Sequence, residues 1–130
     1  MLELYDYELS GNCYKIRLIL SFLNLDYMSK KIEFYPSEEH KSEIFLKINP
    51  LGQLPVISDG GLILRDAQAI LVYLASKYDK ANKWYNVNDP EMLGSVSQWL
   101  AFGDSMTSSA SAARLHDTLF YNNFDIDKCR

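Results

Sequence analysis

The chain has no block of lysine and arginine, no apolar run long enough to span a bilayer, and only two cysteines in 130 residues. Its 13 basic and 17 acidic residues leave a net charge of −4. Without a basic stripe it lacks the electrostatic footprint of a nucleic-acid or anionic-membrane binder. The longest apolar stretch, Ile16 to Leu25, is broken by Arg17, Ser21 and Asn24. It falls well short of the ~20 residues that a spanning helix needs. The opening Met1-Leu2-Glu3-Leu4-Tyr5-Asp6 carries two early acids and no basic segment, so a secretory leader is not expected. Cys13 and Cys129 are too far apart in sequence to form a metal spacing. They point to a reduced, cytoplasmic protein with no metal. Low-complexity tracts are also missing, and 48% of the residues are apolar, which describes a globular chain with one core and a small annex.

The turn and period signals are specific. Leu2 to Tyr7 alternates as a short strand. Ser10-Gly11-Asn12 then favours a turn and a helix cap, opening a helix to about Leu25 with Cys13, Ile16, Ile19, Leu20 and Leu23 on one face. Tyr27 to Phe34 reads as a second strand, and Glu38 to Ile48 as a short polar helix anchored by Ile44, Phe45 and Ile48. Val56 to Ser58 and Leu62 to Leu64 flank Asp59-Gly60-Gly61, a hairpin signature. Asp66 caps a helix in which Ala67, Ile70, Leu71, Leu74 and Tyr78 share a face. A helix between the first two strands makes them parallel, and the hairpin makes the last two antiparallel. The expected fold is α/β: a βαβαββα domain around a mixed four-stranded sheet with helices on both faces.

Asn49-Pro50-Leu51-Gly52-Gln53-Leu54-Pro55-Val56 is the stretch the rest must fit around. Proline has no N–H to give to a ladder, so Pro55 belongs at a strand start. A cis Leu54–Pro55 bond costs only about 0.5–1 kcal/mol over trans. Such a bend would turn the Leu54 N–H and C=O outward as an unpaired edge for a peptide-like ligand. Beyond residue 78, Asp79 to Asn88 has linker composition around Trp84, and Asp89-Pro90 starts a further helix through Met92, Val96, Trp99, Leu100, Phe102 and Met106. Ser105 to Ala113 continues it, and Asp125 resembles one more cap. The domains expected are 1–78, a linker 79–88, and the start of an all-α domain at 89–130.

Ser10 to Arg17, the Asn49-to-Val56 turn, and Asp66-Ala67-Gln68-Ala69-Ile70 with Tyr73-Leu74 together resemble the glutathione transferases, nearest to their serine-type theta, delta and zeta classes. The resemblance implies a thioredoxin-like first domain, glutathione as co-substrate, a homodimer, and a role in detoxification. Members of the family are longer than 130 residues, and this chain resembles one cut at the start of its second bundle helix. The matching chemistry requires a thiolate at neutral pH. Starting near pKa 8.5, a thiol needs a drop of roughly two units, about 2.7 kcal/mol. A helix N-terminus supplies about 0.3–1 kcal/mol at a surface and at most about 2 when partly buried. A hydroxyl donating to the sulfur anion adds roughly 1.5–3 kcal/mol. Ser10 matches the family's catalytic serine, with a plain helix cap as its other reading. Tyr5 and Tyr7 are the fallback hydroxyls, but ungapped register places Asp6 where other classes carry a tyrosine.

By the same resemblance, the main chain of Leu54, held by Pro55, pairs with the peptide part of glutathione, and Asp66 takes its γ-glutamyl group. Ala67 stands where the family usually has serine, which costs one hydroxyl bond and implies weaker glutathione binding. His40 and Lys41 match positions that reach the glycyl carboxylate, or are exposed helix residues; Gln53 is a further contact. Cys13 lies on the buried helical face as a small core residue, or serves a redox role. The electrophile pocket is apolar, with Phe102 and Met106 as candidates unless they are helical core. Two other functions stay open at this point: a glutathione-dependent thiol–disulfide reductase using Cys13, and a catalytically weak domain kept for protein binding.

Overall fold

The computed structural model describes residues 1–119, so the Asp125 cap and Cys129 lie outside the described residues. The chain divides into two compact units, Met1–Asn88 and a second that begins at Asp89. In the first, β1 (Leu2–Asp6), α1 (Gly11–Phe22), β2 (Met28–Lys31), α2 (Glu43–Ile48), β3 (Val56–Asp59), β4 (Leu62–Arg65) and α3 (Ala67–Tyr78) follow one another. The strands form one mixed sheet in the order β2-β1-β3-β4. β1 runs parallel to β2 and antiparallel to β3, which is antiparallel to β4. This is the thioredoxin-like arrangement expected from the sequence.

Alternation along the strands sorts the core into two layers. Leu2, Leu4 and Ile57 point to one side, where Ile16 and Leu20 of α1 meet Ala67, Ile70 and Leu74 of α3. Tyr5 and Val56 point to the other, against Ile32 and Phe45. Leu4, Ile16, Leu20, Ile57, Ile70 and Leu74 are each fully buried, and burial of such a side chain is worth about 1.5–3 kcal/mol. A helix cap is worth only about 1 kcal/mol. Packing on the sheet therefore outweighs local capping in holding the helices.

Three elements differ from the sequence expectation. α1 stops at Phe22 rather than near Leu25, because Asn24 adopts φ 51 and the Asn24 and Leu25 amides donate back to the Ser21 and Leu20 carbonyls. That left-handed closure ends the helix. β2 is confined to Met28–Lys31, and the chain leaves it toward a cis Tyr35–Pro36 bond that the sequence reading did not anticipate. The helix expected over 38–48 is split: a short 3₁₀ turn, Glu39–Lys41, is followed by extended Ser42, whose hydroxyl accepts from the Phe45 amide and caps α2. Within α2, Phe45 is buried but Ile44 is 78% exposed, so Ile44 is not an anchor.

The hairpin closes at Asp59↔Leu62 around Gly60 and Gly61, both at positive φ, as a two-residue turn requires. Residues 79–88 belong to the first unit. Asp79 accepts the Trp84 amide at 2.6 Å, and Trp84 stacks on Phe22 at 5.4 Å. In the second unit α4 (Pro90–Leu119) begins where Asp89 accepts the Met92 amide. No helix among the described residues is long and apolar enough to cross a membrane.

The tip of the hairpin is tied to the end of α3 through one carboxylate. Asp59 Oδ2 accepts from Tyr78 at 2.6 Å, Lys77 at 2.8 Å and Tyr73 at 2.9 Å. Lys77 foremost, then Tyr78, holds the Asp59 pKa down to about 2. An unfolded aspartate titrates near ~3.9, so this stabilisation is complete above about pH 4. It is lost as pH falls through about 2. Asp59→Asn is expected to lower Tm at pH 7 and to flatten the fall of Tm between about pH 4 and 2, followed by far-ultraviolet circular dichroism.

Candidate functional site

Sheet register decides which loops share an end of the domain. Tyr5 pairs with Val56, and Val56 with Arg65. The next residues along, Asp6, Pro55 and Asp66, therefore lie side by side at one end of the sheet, Asp6 as the last residue of β1. Ile32 donates its amide to the Asp6 carbonyl at 2.8 Å, which brings the segment after β2 to the same end. The N-termini of α1 and α3 open there too, with first-turn N–H groups facing outward. The Ser10 turn, the Gln53–Pro55 turn, Asp66 and the segment carrying His40 and Lys41 are thus gathered without any of them being adjacent in sequence.

Ser10 is half-buried and caps α1: its Oγ accepts from the Cys13 amide at 3.2 Å, while its own amide donates to the Tyr7 carbonyl at 3.0 Å. A hydroxyl has one proton and two lone pairs, so capping consumes an acceptor site and leaves the proton for another partner. Cys13 is fully buried. Burial pushes its thiol up to about 11, partly opposed by the Ser10 hydroxyl. It is a protonated core thiol. Tyr5 is buried edge-on to Phe45 at 6.1 Å, and Asp6 is engaged by Arg17 at 2.5 Å.

The proline bend is built by the buried side chain of Asn49. Asn49 Nδ2 donates to the Gln53 carbonyl at 2.8 Å, and its Oδ1 accepts from the Leu51 amide at 3.2 Å. Gly52, at φ +58, donates its amide to the Asn49 carbonyl, and a Cβ there would stand 2.9 Å from the His40 carbonyl. Leu54–Pro55 is cis, as the sequence suggested. Pro55 is buried, Leu54 half-buried and Gln53 exposed. Leu54 precedes the first ladder residue, Val56.

Asp66 is exposed and held at φ 76, and its Oδ1 accepts from the Ala69 amide at 2.9 Å. A non-glycine residue at such a φ costs about 1–3 kcal/mol and persists where surrounding structure imposes it. Ala67, expected among the ligand contacts, instead packs its methyl group in the core at 3% exposure; only its backbone faces this end. His40 is not the exposed helix residue of one of its two readings. It is 3% exposed and stacked on Phe34 at 3.8 Å, and Phe34 lies 5.7 Å from Tyr7. Burial, then Lys41, lowers its pKa, and Nδ1 has no hydrogen-bond partner. Lys41 is exposed and paired with Glu38 at 2.5 Å. On α4, Phe102 and Met106 are 54% and 55% exposed. Among the described residues no group of His, Cys, Asp and Glu gathers as a metal site.

A model of the glutathione S-transferase N-terminal domain matches residues 4–83. Glutathione S-transferase theta-1 of Mus musculus is 32% identical over 121 residues, which is 92% of this chain and 50% of that protein. The crystal structure of human glutathione transferase theta-2, in complex with glutathione and an unknown ligand, matches with a TM-score of 0.79 and 28% identity over 89% of this chain and 47% of that one. A delta-class glutathione transferase of Nilaparvata lugens matches with a TM-score of 0.80 and 29% identity, covering 98% and 60%. The chain spans about half the length of such relatives.

Two outcomes follow from this geometry. Gly52→Ala is expected to cost about 1–3 kcal/mol in urea unfolding, since the new methyl group meets the His40 carbonyl and φ is unfavourable. For Cys13, the rise from 9.0 to about 11 cuts the thiolate fraction roughly 100-fold. In a Cys129→Ser background, iodoacetamide at pH 8 should leave the native protein unlabelled and react once it is unfolded in urea. Rapid native labelling would instead reveal a reachable thiolate.

Proposed function

Since the chain belongs to the glutathione S-transferase family through its N-terminal domain, we propose that this end of the sheet binds glutathione and that Ser10 holds its sulfur as the thiolate. The observation that carries the reading is the convergence of a capping serine, a cis-proline bend and an acidic helix cap at one end of the sheet. Human theta-2, whose structure holds glutathione, shares this fold. In the proposed complex the sulfur lies at the α1 N-terminus, with the Ser10 proton donated to it. Helix dipole and charge-assisted hydrogen bond together reach the roughly 2.7 kcal/mol needed to ionise the thiol near neutral pH. The peptide main chain pairs with Leu54, whose N–H and C=O precede the β3 ladder. The γ-glutamyl group meets the Asp66 carboxylate and the first turn of α3, where backbone N–H groups receive its carboxylate.

Gln53 and Lys41 sit on the exposed side of this end, suited to the glycyl carboxylate; His40, being buried, supports the segment rather than reaching out. The thiolate then attacks an apolar electrophile, for which Phe102 and Met106 on the second unit are the proposed apolar contacts. Residues 1–78 form the glutathione-binding domain in this reading, and the helix from Pro90 begins the all-α domain of a cytoplasmic homodimeric transferase. A disulfide reductase built on Cys13 is the weaker alternative, because that thiol is buried and protonated.

Asp66→Asn separates the two tasks of that residue, since asparagine caps a helix about as well as aspartate. It should leave the fold intact and weaken retention on immobilised glutathione about 10–100-fold, the worth of one charge-assisted bond. Ser10→Ala should lower conjugation of a chloronitrobenzene at pH 6.5 by a similar factor. Conjugation that survives Ser10→Ala unchanged would remove Ser10 as the activating group.

A further inference from the structure

Arg17 belongs to the opening helix motif, yet thiolate stabilisation by Ser10 assigns it no task. Its guanidinium reaches back from α1 with two prongs. Nη1 meets Asp6 Oδ1 at 2.5 Å, and Nη2 donates to the Glu8 carbonyl at 3.1 Å. The same group lies 5.7 Å from the Tyr14 ring. Asp6 is 8% exposed at the end of β1. Asp6 is among the groups that push the Cys13 thiol up, whereas the Ser10 hydroxyl lowers it. A carboxylate at this depth is weakly screened and opposes any second anion nearby. Glu8 lies inside the turn that the Ser10 amide closes on the Tyr7 carbonyl. One side chain thus grips both the turn that carries Ser10 and the negative charge beside it.

We propose that Arg17 is a positioning residue for the thiolate site: one prong fixes the Tyr7–Ser10 turn through the Glu8 carbonyl, and the other neutralises Asp6 so that its charge does not oppose an anionic sulfur at Ser10. This rests on reading that site as a thiolate site. A planar fork serves two acceptors at fixed angles, which a lysine ammonium cannot do as well.

The test uses the full chain and two readouts. The first is the apparent thiol pKa of bound glutathione, followed by its ultraviolet thiolate absorbance. The second is hydrogen exchange at the Ser10 and Cys13 amides in the absence of ligand. Arg17→Gln should raise the bound thiol pKa by about one unit, a tenfold smaller thiolate fraction at lower pH. It should also speed exchange at both amides at least tenfold. Adding Asp6→Asn to Arg17→Gln should bring the thiol pKa back toward the wild-type value while exchange stays fast. Arg17→Lys, the variant to use if Arg17→Gln does not fold, should keep the thiol pKa within about 0.3 units and still speed exchange. Unchanged exchange in the arginine variants overturns the clamp. A thiol pKa that fails to move, or fails to return in the double variant, overturns the neutralising role. Wild-type protein that binds no glutathione defeats the transferase reading instead, and the exchange comparison then decides the clamp alone.

Discussion

Val56 is paired with Tyr5 on one side and Arg65 on the other, and the arrangement of the candidate site depends on that shared level. A ladder cannot slip by one residue without turning every side chain to the opposite face. Here a slip would carry Leu4 and Ile57 out of the α1–α3 layer and Tyr5 and Val56 away from Phe45. With the register set by that burial, β1, β3 and β4 end together. The loops that follow β1 and β4, and the bend that precedes β3, then have no choice but to meet. Pro55 sharpens the boundary, because it offers no N–H to extend the ladder toward Leu54. Asn49 supplies from below the bonds that the bend cannot take from the sheet, joining Leu51 and Gln53.

The residues placed at this end each serve the fold before they serve a ligand. Ser10 and Asp66 cap α1 and α3 through one oxygen each. The Ser10 proton and the second Asp66 oxygen are not consumed by that capping. A helix cap and a ligand contact are therefore compatible readings of one side chain rather than rivals. Cys13 and Ala67 show the reverse. Both lie in first turns that face the site, yet both side chains are buried. Small residues there let α1 and α3 approach the sheet closely. Ala67, where a serine was expected, consequently alters the packing layer as well as any contact to a ligand.

Electrostatics follow the same economy. Asp59 and Asp6 are acids near strand ends, each engaged by a cation from a helix, Lys77 from α3 and Arg17 from α1. At Asp59 two tyrosine hydroxyls complete the set, and the outcome is a tie between hairpin and helix. At Asp6 the second guanidinium prong goes instead to the Glu8 carbonyl. That difference ties the first cluster to the hairpin and the second to the turn that carries Ser10.

The caps at Ser10, Asp66 and Asp89, the Asp59-Gly60-Gly61 hairpin and the Leu54–Pro55 bend were all legible in the sequence. Each is decided by bonds spanning about four residues, and the residue types that make those bonds are few. The α1 stop at Asn24 and the break at Ser42 were equally local, but their signals were weaker than the apolar period running across them. The side-chain partners were not legible. Ile44 and Phe45 are neighbours of equal apolar character, and only the position of Tyr5 across the layer selects Phe45 for burial. The stacking of His40 on Phe34 and the pairing of Arg17 with Asp6 each join residues that no local pattern links. From the sequence alone came where the chain turns and which faces are apolar. Tertiary structure alone decided which distant groups share a bond, because such a pairing depends on how the strands are brought together.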